Sequence, residues 1–200
     1  MIGFDGETLM NTNGTALAEG LYWYAEKLLW GYEGVEKDHK EAFKLFRQAA
    51  DLGFSDAHLR VGQLHQYGKG TERDTRAALV SYRTAVEAGN FFGFAFLAKL
   101  VSRGSQNAKT QALWDRFIAA LEANPDPGFL AATPGELLHQ YIAAHLRLGL
   151  DPQHAATLRQ YRVAIIGYHQ QLLEHTNADE ELDCLETVSK WMHLHLGPWP

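Results

Sequence analysis

The chain has 200 residues and a mass of 22.4 kDa, enough for one domain with a continuous apolar core. Its net charge is −6 with a pI near 5.9, and no run of Lys and Arg exceeds two residues, so the dense basic face that tight nucleic-acid binding needs is missing. No stretch of about 18 uncharged apolar residues occurs, which argues against a membrane-spanning helix. The opening MIGFDGETLMNTNG lacks the basic and apolar segments of a secretory signal, and the expected location is cytoplasmic. Cys184 has no second cysteine to pair with and reads as a small buried apolar residue.

Residues 1–14 are polar and Gly/Asn-rich and read as a flexible N-terminal arm. Residues 15–30 form a helix with Leu21, Ala25, Leu28 and Leu29 on one face. After the loop GYEGVEK, Asp38 is a good N-cap and Glu41, three residues on, completes a capping-box pattern. The helix that follows turns Ala42, Leu45, Phe46, Ala49 and Ala50 inward, and Gly53 ends it in a left-handed cap. The second unit repeats this plan. Leu59, Val61, Leu64 and His65 lie on its first helix, YGKGTER is its loop, and Asp74 caps a helix bearing Ala78, Tyr82, Ala85 and Val86.

Sliding the sequence by 36 residues places Leu28 on Leu64, Gly34 on Gly70, Asp38 on Asp74, Ala42 on Ala78, Phe46 on Tyr82 and Gly53 on Gly89. A helical pattern with that step means stacked two-helix units, because one unit cannot bury its apolar face alone. A third, degenerate unit follows over 91–127, one residue short in its loop and stopped by NPDPG. Three further helices are expected at 134–148, 152–175 and 178–196. Asp151 caps the second of these ahead of Pro152, and Asn177 caps the third, which carries the stripe Leu182, Leu185, Val188 and Met192. The expected fold is all-α: a right-handed α-solenoid of two-helix repeats (15–54, 55–90, 91–127) with residues 128–200 as a C-terminal helical cap or divergent repeat.

The segments GVEKDHKEAFKLFRQAADLG (34–53) and GTERDTRAALVSYRTAVEAG (70–89) resemble the Sel-1-like repeat family, a branch of the tetratricopeptide-like α-solenoids. Val61-Gly62 fills that family's Leu-Gly site, Gly68 and Gly70 its loop glycines, and Asp38 and Asp74 its caps. Leu29 and His65 stand where the family usually has Tyr, and Tyr32 replaces a loop glycine. The likeness is strong over 28–89, fair over 15–123 and absent beyond about 128.

The resemblance implies a non-enzymatic protein-interaction module: a small adaptor or inhibitor, with toxin-neutralising and secretion-related partners among the bacterial possibilities. It also implies that the first helix of each unit lines a concave groove. Carried over, that register assigns partner binding to Trp23, Lys27 and Trp30 in the first unit, Asp56, Leu59, Gln63, Gln66 and Tyr67 in the second, and Phe92, Lys99 and Arg103 in the third. A protein or peptide partner is expected, with no cofactor, no nucleic acid and no membrane, and the chain itself as a monomer or weak homo-oligomer.

Local motifs for chemistry are weak. GKGT (68–71) lacks the spacing and the strand of a phosphate loop and reads as a turn between helices. No two of the ten histidines are four apart, and His193 and His195 point opposite ways on a helix. A zinc site assembled across helices from His139, His145, His169 or His175 is the basis of the alternative reading, a metal-dependent enzyme using the C-terminal helices. No metal site is expected on the primary reading, and no nucleophile motif appears.

Overall fold

The computed structural model describes residues 6–102, 107–124, 134–147, 149, 152, 154–175 and 179–197. The regular elements among them are α-helices: α1 Gly6–Trp30, α2 His39–Asp51, α3 Ser55–Tyr67, α4 Thr75–Glu87, α5 Phe92–Ser102, α6 Ala108–Ala123, α7 Pro134–Arg147, α8 Ala155–Gln160, α9 Arg162–His175 and α10 Asp179–Leu196. None of the described helices is long and apolar enough to cross a membrane. Two compact units divide the chain, Met1–Leu100 and Val101–Pro200. The division falls inside the stretch that the sequence presents as a third repeat.

In the first unit α1, α2, α3 and α4 pack in succession, as stacked helical pairs require. Tyr22, Ala25, Leu28 and Leu29 of α1 meet Ala42, Phe46, Ala49 and Ala50 of α2 and Ala57, Val61 and Leu64 of α3 in one buried cluster. The alanines let the helix axes approach, and the rings fill what remains. Tyr22 meets Phe46 edge-on with centroids 5.4 Å apart. In the second repeat Tyr82 takes the place of Phe46, and its ring lies directly against Gly62. A Cβ at Gly62 would stand 2.5 Å from a Tyr82 ring carbon. The Tyr82 hydroxyl donates to buried Gln66 Oε1 at 2.6 Å.

The two caps are built alike. Asp38 Oδ1 accepts from Lys40 N at 2.9 Å and Glu41 N at 3.0 Å, and Asp74 Oδ1 from Arg76 N at 2.8 Å and Ala77 N at 3.0 Å. Those amide donors hold both carboxyls below the ordinary carboxylate range. The capping box expected at Asp38 is only half made, for a physical reason. The Asp38 N–H already donates to Leu28 O on α1 at 3.0 Å, so Glu41 pairs instead with Lys44 at 2.8 Å. Asp74 N donates likewise to His65 O at 2.9 Å. Each aspartate therefore closes the N-terminus of one helix and satisfies a C-terminal carbonyl of the helix before it.

Gly70 is the tightest point of the second loop. Its φ is +72°, and a Cβ there would lie 1.8 Å from His39 O, at the N-terminus of α2. Gly34, its counterpart one repeat earlier, has φ +78° and open space around the same position.

In its helix boundaries the structure differs from the sequence reading at two places. Helix α1 starts at Gly6, ahead of Thr15, so residues 6–14 continue the helix rather than forming a loose arm. The expected helix 152–175 is two helices, α8 and α9, parted at Tyr161. His154, with φ 62°, precedes α8 and turns the chain; its Nδ1 lies 2.9 Å from Glu122 Oε1, which also accepts from Thr157 at 2.5 Å. That anchorage starts the helix at Ala155 rather than at Pro152, while Asp151 and Asn177 lie outside the described residues.

The second unit buries Trp114, Phe117, Ile118 and Leu121 of α6, Leu137, Leu138, Tyr141 and Ile142 of α7, Ile165 of α9, and Val188 and Met192 of α10. Asn107 opens α6 with a complete capping box through Thr110.

Candidate partner-binding face

Tyr22, Glu26 and Trp30 are four residues apart on α1 and share one face, as do Asp56, Arg60 and Gln63 on α3. The two faces are joined by a buried ion pair. Glu26 is only 2% exposed, and Arg60 Nε lies 2.6 Å from Glu26 Oε1 with Nη2 3.3 Å from Oε2. A buried carboxylate is tolerable only when its charge and lone pairs are matched. Here the match is uneven. Glu26 Oε2 accepts from Arg60 Nη2 and from the Trp30 indole N–H at 3.0 Å, while Oε1 has only the charge of the Arg60 guanidinium beside it and no hydrogen bond among the described residues. Arg60 Nη1 donates to Gln63 Oε1 at 2.9 Å. Burial, reinforced by the Glu26 charge and opposed by Arg60, pushes the Tyr22 hydroxyl well above its usual range.

This network fixes the direction of Trp30 while leaving 46% of the residue exposed. The Lys69 ammonium sits 5.7 Å from the Trp30 ring centroid, within the range of a cation–π contact. Tyr32, just beyond the end of α1, is exposed to the same degree. Lys27 pairs with Glu33 at 2.5 Å. Further along α3, Asn90 Nδ2 donates to Asp56 Oδ1 at 2.5 Å, and Asn90 Oδ1 accepts from Phe92 N at 3.0 Å. Burial raises the Asp56 carboxyl despite the opposing effects of Asn90 and Arg60. Chemically the face offers orientated aromatic surface, an amide and a cation, which suits holding a ligand rather than transforming one.

The residues assigned from sequence fall into three groups. Trp23 (39% exposed), Trp30 and Tyr67 are exposed, and Lys27, Asp56, Gln63 and Lys99 are partly so. Leu59, Gln66 and Phe92 are buried and cannot line an open surface. For Leu59 and Gln66 the reason is the position of α3 between α2 and α4, which covers more of its circumference than one stripe, with Gln66 turned inward to Tyr82. Phe92 opens α5 with its ring stacked on Phe91 and its N–H bonded to Asn90 Oδ1. Arg103 lies outside the described residues. The sequence register does not assign Glu26, Arg60, Tyr32 or Lys69 to the face. Helical register puts Glu26 in line with Tyr22 and Trp30, but its burial depends on Arg60 of α3 and has no local signal.

The histidines of the second unit do not converge. His139 Nε2 and His169 Nδ1 are 2.8 Å apart in the core, whereas His145 Nε2 lies 3.2 Å from Asp115 and His175 Nδ1 lies 2.7 Å from Gln171 O. Among the described residues no group of three or more His, Cys, Asp or Glu is placed to hold a metal.

Comparison with known proteins agrees with the helical stacking. The Sel1 repeat model matches residues 18–54 and 55–90. An uncharacterised protein of Neisseria meningitidis serogroup B is 32% identical over 68 residues, which are 34% of this chain and 15% of that protein. The crystal structure of a Sel1 repeat protein from Oxalobacter formigenes superposes with a TM-score of 0.51 at 23% identity, covering 75% of this chain and 58% of that one. This chain thus spans less than two thirds of either relative.

Proposed function

We propose that this chain, whose residues 18–54 and 55–90 match the Sel1 repeat model, is a small soluble adaptor or inhibitor that holds a protein or peptide segment on the face formed by α1 and α3. Sel1 repeats are protein–protein interaction modules, and the family is not an enzyme family. The observation that carries the reading is the Glu26–Arg60 pair and what it does to Trp30. A buried ion pair that holds an exposed indole in one direction adds nothing to the core that an apolar pair would not supply. It does remove the ordering cost a partner would otherwise meet on docking against that ring.

Trp23 and the Gln63 amide flank the same helices, and Lys99 lies on α5. Cytoplasmic partners are proposed, with toxin-neutralising and secretion-related proteins among the classes to look for. The test is an affinity capture comparing wild type with a Trp23→Ala/Gln63→Ala/Lys99→Ala variant whose circular dichroism and melting match wild type. A protein recovered by wild type and lost by the variant supports the face. Equal recovery by both would place binding elsewhere on the chain.

A further inference from the structure

The cations Arg60, Lys27 and Lys69 near this face are not equivalent. Arg60 is matched by Glu26 and Lys27 by Glu33, whereas Lys69 has no carboxylate partner among the described residues. Its ammonium is held over the Trp30 ring. The backbone beneath it is stiff: Lys69 N donates to Leu64 O at 3.0 Å, and Gly70 beside it is wedged against His39. Lys69 is thus a positive charge without a carboxylate partner among the described residues, set on a stiff turn over the exposed Trp30 ring, with exposed Tyr32 two residues beyond Trp30 in the chain.

We propose that Lys69 and Trp30 form an acidic-residue subsite, in which a partner segment places an Asp or Glu carboxylate on the Lys69 ammonium and lays an adjacent apolar side chain on the Trp30 and Tyr32 rings. The inference rests on the preceding reading that this face receives a partner segment. Charge complementarity selects the occupant. A basic segment would meet Lys69 already seated on the ring and would have to displace it, while the nearby carboxylates of Glu26 and Glu33 are engaged by Arg60 and Lys27. An acidic residue reaches the ammonium without having to drive it off the ring. It meets a cation already partly stripped of water by the ring, in an aromatic setting typical of binding hot spots.

The experiment pans a random-peptide display library against the full-length chain, then measures synthetic versions of the enriched peptides by fluorescence anisotropy. Lys69 is exposed, so Lys69→Gln is expected to fold and melt like wild type. The expected result is a consensus with an acidic residue beside an apolar one. Affinity should fall about tenfold in Lys69→Gln, about tenfold when the peptide's acidic residue is changed to its amide, and little further when both changes are combined. Peptides that need Trp23 and Gln63 but bind Lys69→Gln unchanged, or that carry a basic consensus, overturn the acidic subsite and leave the face standing. Peptides indifferent to Trp23 and Gln63, or no enrichment at all, overturn the face and the subsite with it.

Discussion

Gly34 and Gly70 occupy the same place in successive repeats, and the pair supplies an internal control for how closely the second loop packs. Both have positive φ, +78° and +72°, so an alanine at either takes on the left-handed strain, about 1 kcal/mol. Beyond that the sites part. Around Gly34 a Cβ meets nothing within 4 Å, whereas at Gly70 it would lie 1.8 Å from His39 O, 2.4 Å from His39 C and 2.9 Å from Lys40 N. Those are backbone atoms of the first turn of α2, which Asp38 holds by two hydrogen bonds, so no side-chain rotation relieves the clash. Overpacking of this kind costs about 1–3 kcal/mol more. Gly34→Ala should therefore lose about 1 kcal/mol and Gly70→Ala about 2–4 kcal/mol. The assay is urea unfolding followed by circular dichroism, with both variants and wild type at one pH and protein concentration. Losses equal to within about 0.5 kcal/mol would refute the close approach of the loop to α2.

Three other outcomes follow from the packing. His139 is buried beside His169, and burial first, then the neighbouring His169 and Arg147 charges, pull its pKa down from 6.5 to about 3. The unfolded chain takes up a proton near pH 6.5 that the folded chain refuses, so stability is full above that pH and falls by about 1.4 kcal/mol per unit as the solution is acidified towards pH 3. Urea midpoints between about pH 7 and pH 5 should fall less steeply in His139→Gln than in wild type, and parallel slopes would remove His139 as the cause. Arg60→Met strands the Glu26 carboxylate in the core and should lose about 3–5 kcal/mol, much of it restored by adding Glu26→Leu; a loss below about 1 kcal/mol would mean Glu26 is solvated. Gly62→Ala forces the Tyr82 ring away and strains its bond to Gln66. A loss of about 1–3 kcal/mol in the same unfolding assay is expected, and none if the ring has room to move.

The helical plan of residues 15–90 was legible because it rests on local rules: an apolar period, an aspartate where the chain turns into a helix, and a glycine where it leaves one. Asp38 and Asp74 stand where those rules put them. What escaped depends on partners distant in sequence. Nothing local marks Glu26 as buried, since its compensation comes from Arg60 on another helix, 34 residues away. The inward turn of Gln66 likewise needs Tyr82, and Leu59 is covered because α3 has neighbours on two sides. The start of α8 at Ala155 was invisible for the same reason: the anchor of His154 is Glu122, on α6. Of the candidate face, the exposed aromatics were legible from helical register, and the ion pair that orientates Trp30 was not.

The double duty of Asp38 and Asp74 bears on how such a protein changes over generations. Each aspartate settles polar groups at the ends of the helices on both sides of its loop, so a stretch from one aspartate to the next meets its neighbours through junctions of the same kind. A small insertion or deletion within the loop would pull the aspartate off one helix or the other and unsettle both at once. Gain or loss of a whole 36-residue segment leaves every junction as it was. Lineages carrying this arrangement are therefore expected to differ in repeat number far more readily than in loop length.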